Sequence, residues 1–138
     1  MATASDDGPR VAVEELRRSK EVESGRWLFE WRIQNLTEQP IKFFAARCPH
    51  GQFRSEERFF DPPLDAAAGR NATIEMPVLC DEPGGAVVEN AFLILSTEWR
   101  EDKWRIFVRL RVKIDEDGIP GTAAALITTQ RVGFSGID

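Results

Sequence analysis

Cys48-Pro49-His50 is the tightest grouping of reactive side chains in the chain. A nucleophilic cysteine needs a base within hydrogen-bond reach and a third group to orient that base. His50 is the only histidine, so any Cys/His or Ser/His mechanism must run through it. Residues i and i+2 of an extended segment lie on one side, but the proline between them stiffens the segment and no glycine motif for an oxyanion hole lies nearby. The trio reads as a strand-ending buried cysteine followed by a loop histidine. No catalytic residue is assigned, and the chain is read as non-enzymatic. A thiol- or metal-dependent enzyme at Cys48, His50 and Cys80 is the alternative. With Asp81 those residues would make four zinc ligands if the two segments met, yet the paired CxxC units of structural zinc sites are missing. Asp115-Glu116-Asp117-Gly118 lacks the ligand spacing of a calcium loop. Gly84-Gly85 is a turn, not a phosphate-cradling loop. Among 23 acids nothing singles out a catalytic carboxylate pair. Neither a metal nor a cofactor is expected.

A row of cations broken by one aromatic carries more information. From Trp104 every second residue is apolar (Trp104, Ile106, Val108, Leu110, Val112, Ile114). Successive strand side chains point to opposite faces, so Arg105, Phe107, Arg109, Arg111 and Lys113 share the other face. Same-face neighbours along a strand stand ~7 Å apart, and their repulsion calls for cross-strand acids or an acidic ligand. Glu30, Glu75 and Glu98 are the internal acids that would ladder the row. Phe107 is either covered by arginine stems or exposed as an anchor. Leu93, Leu95 and Trp99 are read as sharing that outward face, with the C-terminal segment or the 48–68 loop lying over them as the competing reading.

The expected function is therefore association with a protein partner, or self-association as a homodimer, through Trp99, Arg105, Phe107, Arg109, Arg111 and Lys113. The hairpin tip Trp99–Trp104 would belong to the contact. A small-molecule or carbohydrate binder using Trp99 and the 48–68 loop is the second alternative. Trp27, Trp31 and Trp104 fall on apolar faces and read as core.

Charge and composition narrow the partners. A net charge of −5 opposes nonspecific nucleic-acid binding, which needs a basic footprint. No apolar run approaches the ~20 residues of a membrane span, and Met1–Arg10 lacks the basic and apolar regions of a secretory signal. A cytoplasmic location is expected, without membrane or nucleic-acid partners. In that compartment Cys48 and Cys80 stay reduced, and the acceptor patterns Asn35-Leu36-Thr37 and Asn71-Ala72-Thr73 are chance matches.

The elements that must position these residues read as strands throughout. A tail over 1–9 precedes one domain over 10–135, a length that supports its own core. Residues 10–23 give a first strand. Residues 26–36 give a clearer one, with Trp27, Phe29, Trp31 and Ile33 on one face; 41–47 pairs with it across a turn at Glu38-Gln39-Pro40. Residues 48–68, with Pro49, Gly51, Pro62 and Pro63, read as irregular apart from a short strand near Glu57–Phe60. Strands over 69–78 and 91–99, a turn of about four residues at 100–103, a strand over 104–114 and a last one from Thr122 complete the set. The sum is an all-β antiparallel sandwich of about seven or eight strands. Trp31, mid-way along an early strand, resembles the core tryptophan of immunoglobulin-like domains. The likeness implies immunoglobulin-like architecture only, because Cys48 and Cys80 both follow Trp31 and the Cys–Trp–Cys order is missing.

Overall fold

The computed structural model describes residues 8–49 and 51–132. Eight strands form two antiparallel sheets: β1 (Val11–Lys20), β2 (Arg26–Asn35), β3 (Ile41–Cys48), β4 (Ser55–Ala66), β5 (Asn71–Leu79), β6 (Val87–Trp99), β7 (Asp102–Ile114) and β8 (Pro120–Val132). The smaller sheet has the order β1-β2-β5, the larger β4-β3-β6-β7-β8. The sheets face each other across one core, with β1 meeting β8 and β5 meeting β4 at the seams. The sandwich read from the sequence is what the chain forms. The expected tail falls, for residues 1–7, outside the described residues; Gly8 and Pro9 are buried.

The core follows from alternation. On β2 the side chains of Trp27, Phe29, Trp31 and Ile33 are buried while those between them reach solvent. Ala72, Ile74, Met76 and Val78 do the same on β5, and the six alternating residues from Trp104 to Ile114 on β7. Phe29 stacks on Trp31 at 5.3 Å between ring centres, and Phe53 meets both edge-on. Such pairs add to the stabilisation from buried area. The Trp31 indole donates to Thr122 Oγ1 at 3.0 Å, tying β2 to β8 across the sandwich.

Four sequence expectations are corrected. The strand over 41–47 does not pair with that over 26–36 across the turn at Glu38-Gln39-Pro40; β2 and β3 lie in different sheets, so that connection crosses the sandwich. Residues 48–68 are not mainly irregular, because β4 runs for 12 residues. Its Pro62 and Pro63 are tolerated on an edge strand, where a missing N–H costs no ladder bond. Its register also slips between Phe43↔Leu64 and Ala45↔Phe59, which releases the stretch around the prolines. The turn at 100–103 is shorter than four residues, since only Arg100 and Glu101 separate β6 from β7. Both take positive φ, 53° and 69°, the twist-matched geometry of a two-residue hairpin. Leu93, Leu95 and Trp99 do not face outward. All three are buried in the core at 0%, 0% and 7% exposure. The run Phe92–Leu95 is apolar on both faces, so its own sequence leaves the facing open; pairing of Thr97 with Trp104 decides it.

Candidate functional site: the outer face of the larger sheet

The register of β3, β4, β6, β7 and β8 sets out the outward side chains in rows. One row crosses the sheet as Phe59, Ala45, Ser96, Arg105 and Gln130. The next is Arg47, Ile94, Phe107 and Thr128, and the next Phe92, Arg109 and Leu126. Phe44 joins the face at the β3 bulge, where the Lys103 ammonium sits 5.0 Å from its ring centre. The predicted residues Arg105, Phe107, Arg109, Arg111 and Lys113 thus lie together as expected from period 2. Trp99 does not join them. Its ring packs edge-on against Trp104, its indole donates to Thr37 Oγ1 at 3.1 Å, and Arg100 lies over its ring.

Two residues on this face behave unlike a solvated surface. Ala45 and Ile94 are 2% and 8% exposed, yet neither belongs to the core cluster. Both stand on the outward side, paired with Ser96 and with Phe107 respectively. Ile94 is flanked by Phe107 on β7 and by Arg47 on β3. The face therefore has a small apolar floor. Phe44, Phe92 and Phe107 are half-buried around it, while Phe59 at 71% and Leu126 at 54% stand out at either side. The sequence had shown Phe107; Phe44, Phe59, Phe92, Ile94 and Leu126 join the patch only through strand order and register.

Charge partners on the face are few. Glu30 and Glu75, expected to ladder the cations, sit on the smaller sheet, directly opposite each other. Glu30 is instead 3.6 Å from Arg17. Glu98 does lie opposite Lys103 and Lys42. Glu89 serves two arginines: its carboxylate is 3.4 Å from Arg111 and its carbonyl accepts from Arg109 Nε at 3.2 Å. Among the described residues, Arg47, Arg105, Arg109 and Lys113 form no ion pair with a carboxylate.

The other candidate sites fare differently. His50 lies outside the described residues, so the Cys48/His50/Cys80 grouping is described only at its cysteines. Both are free thiols in the core. Burial pushes the Cys48 thiol up to about 12, against an opposing pull from Ser55. Burial, helped by the Glu82 and Asp81 carboxylates, pushes Cys80 up to about 11. The thiolate is the nucleophile, and this burial holds both groups in the thiol form at neutral pH. No cluster of three metal-binding side chains occurs among the described residues. Five open surface clefts have no aromatic lining of the kind a sugar binder needs. One cleft of about 560 Å³ at the β1–β8 seam is lined by Arg18, Arg111 and Lys113. Two of those cations are already engaged, Arg18 by Glu15 at 2.6 Å and Arg111 by Glu89.

The raised thiols give a stability prediction. Their ordinary value is 9.0, so between pH 9 and about 11 to 12 the native state keeps two protons that the unfolded chain releases. Stability is therefore fully present below pH 9 and falls as pH rises through that window. Urea midpoints should decline across it, and less steeply in Cys48→Ala. An identical slope in that variant would remove the thiol as the cause.

Neither the protein-family models nor the curated proteins compared with this sequence give a match. Among the described residues no helix is long and apolar enough to cross a membrane.

Proposed function

We propose that the protein is a non-enzymatic binding module whose larger sheet docks an acidic protein segment with apolar side chains on its outer face. The carrying observation is the floor of Ala45 and Ile94, buried outside the core and ringed by aromatic residues and by cations that, among the described residues, have no carboxylate partner. Apolar contact area rimmed by charge is the usual anatomy of a protein interface, with arginine and aromatic residues enriched in it. Charge selects the partner. The protein is acidic overall at −5, yet this face presents Arg47, Arg105, Arg109 and Lys113. An acidic segment gains Coulomb attraction there and would be repelled elsewhere.

The same reading places the protein in the cytoplasm, where two buried free thiols persist, and gives the sandwich an immunoglobulin-like architecture with Trp31 as its central core residue. The test is a fluorescence-anisotropy titration with a labelled peptide alternating glutamate with leucine and phenylalanine. A counterpart peptide carries lysine in place of glutamate. The acidic peptide should bind and weaken with added salt, because the Debye length shrinks to about 10 Å at 0.1 M. Equal binding of both peptides, or of neither, would refute the proposal.

A further inference from the structure

Two sheets have four edges, and three of them carry devices that block further strand pairing. β1 bears Glu14, Glu15, Arg17, Arg18 and Lys20 and breaks register between Glu15 and Arg17. β4 carries Pro62 and Pro63 among charges. β5 carries Pro77 and Glu75. Charges, prolines and bulges are the means by which natural sheets keep edges from pairing with other chains. β8 is the exception. It is 13 residues long and among the described residues pairs only with β7, and from Thr122 to Gln130 it has no charge, no proline and no glycine. After a bulge at Ala125 its residues Leu126–Val132 follow β7 one for one, a straight segment.

Part of β8 is also bare on both sides. Ala123, Ala124, Ala125 and Leu126 are exposed in succession, although neighbouring strand residues point opposite ways. Its beginning is held by Glu15, which accepts from the Thr122 N–H and hydroxyl, both at 2.7 Å, and farther along Gly8 stands against the Thr129 side chain on the inner side.

We infer that β8 pairs antiparallel with the β8 of a second copy of this chain, making one continuous sheet from two five-stranded ones. Charge decides the occupant. Arg131 is the only charged residue of β8, and any two-fold axis between residues 125 and 130 sets it opposite an uncharged residue. An axis at Thr128 keeps the straight segments in register, with Thr128 opposite its own copy and Leu126 opposite Gln130. Threonine pairs across strands are favourable, and Leu126, 54% exposed, gains a neighbour. Apart from Arg131 this edge offers an acidic segment no cation; it borders the docking face and shares Leu126 with it, but pairs through its backbone.

The experiment is the solution mass of the full chain by light scattering over a wide concentration range, at low and high salt. The wild type should rise from 15.6 kDa to twice that mass, undiminished by salt because like net charges are then screened. Leu126→Lys with Thr128→Lys, both exposed positions, should stay monomeric with an unchanged circular-dichroism spectrum. Amide exchange in Ala123–Gln130 of the wild type should slow as concentration rises, while that of β4 stays constant. A wild type monomeric at every concentration, a lysine variant that dimerises equally well, or a dimer dissolved by salt would overturn the inference. Arg109→Glu with Arg111→Glu leaves the β8 edge intact and should still dimerise, so failure of the docking face and failure of this edge give different results.

Discussion

Asn35→Ala destabilises the fold by roughly 3 kcal/mol, a large share of the ~5–15 kcal/mol that holds a typical domain together. The Asn35 side chain is wholly buried at the end of β2. Its amide donates to the carbonyls of Gln39 at 2.7 Å and Ala66 at 2.9 Å. Its carbonyl oxygen accepts from the Thr37 N–H at 2.8 Å and the Thr37 hydroxyl at 2.7 Å. One side chain thereby clips the β2–β3 turn to the end of β4. Alanine strands buried partners on both sides, and each orphaned buried group costs about 1–3 kcal/mol. Asn35→Asp keeps the acceptor but aims a carboxylate at two carbonyl oxygens. That variant should also be weak at neutral pH and recover as acid protonates it, since its folded-state proton affinity is raised. Urea midpoints of both variants at neutral and acidic pH check this, and a shift under 1 kcal/mol in Asn35→Ala would contradict it. The network also explains the acceptor pattern Asn35-Leu36-Thr37. The asparagine and threonine two residues apart are there to bond each other and the turn.

Arg109→Glu combined with Arg111→Glu should weaken binding of the acidic peptide by roughly a hundredfold, about 2.7 kcal/mol. Reversal removes two attractions and installs two repulsions, and like charges brought together in an interface cost several kcal/mol. Neither arginine reaches the core. Their main local tie is Glu89, through its carbonyl for Arg109 and its carboxylate for Arg111. The urea midpoint should therefore move little, because exposed ion pairs contribute about 0–1 kcal/mol. Arg109→Gln with Arg111→Gln gives an intermediate affinity and separates charge from shape. Unchanged peptide affinity in the reversed variant would remove the cationic row from the site.

The fold was legible wherever apolar and polar residues alternate without interruption. β2, β5 and β7 follow directly from Trp27–Ile33, Ala72–Val78 and Trp104–Ile114. β1 was harder, because the bulge at Glu15/Arg17 shifts its parity and leaves Leu16 42% exposed. β4 was concealed by prolines and charges that only an edge strand can carry. The facing of β6 was open because Phe92–Leu95 is apolar throughout, and a polar residue, Thr97, occupies a core position. Its hydroxyl is satisfied by the Trp104 carbonyl at 3.0 Å, which makes that placement affordable.

The candidate site was legible along one strand and not across the sheet. Arg105, Phe107, Arg109, Arg111 and Lys113 needed only period 2. Phe59, Phe44, Ile94 and Leu126 belong to four separate segments, and their neighbourhood depends on strand order β4-β3-β6-β7-β8. No local pattern encodes that order. The expected acids Glu30 and Glu75 were misplaced for the same reason, since both lie in the other sheet.

Backbone amide shifts of the isotope-labelled protein, followed during titration with the acidic leucine–phenylalanine peptide, test the docking face most directly. The expected changes cluster at Ala45, Ile94, Arg105, Phe107 and Arg109 and leave β1, β2 and β5 unmoved. Changes confined to the smaller sheet, or a saturating peptide excess that moves no residue of the larger sheet's outer face, would contradict the docking role.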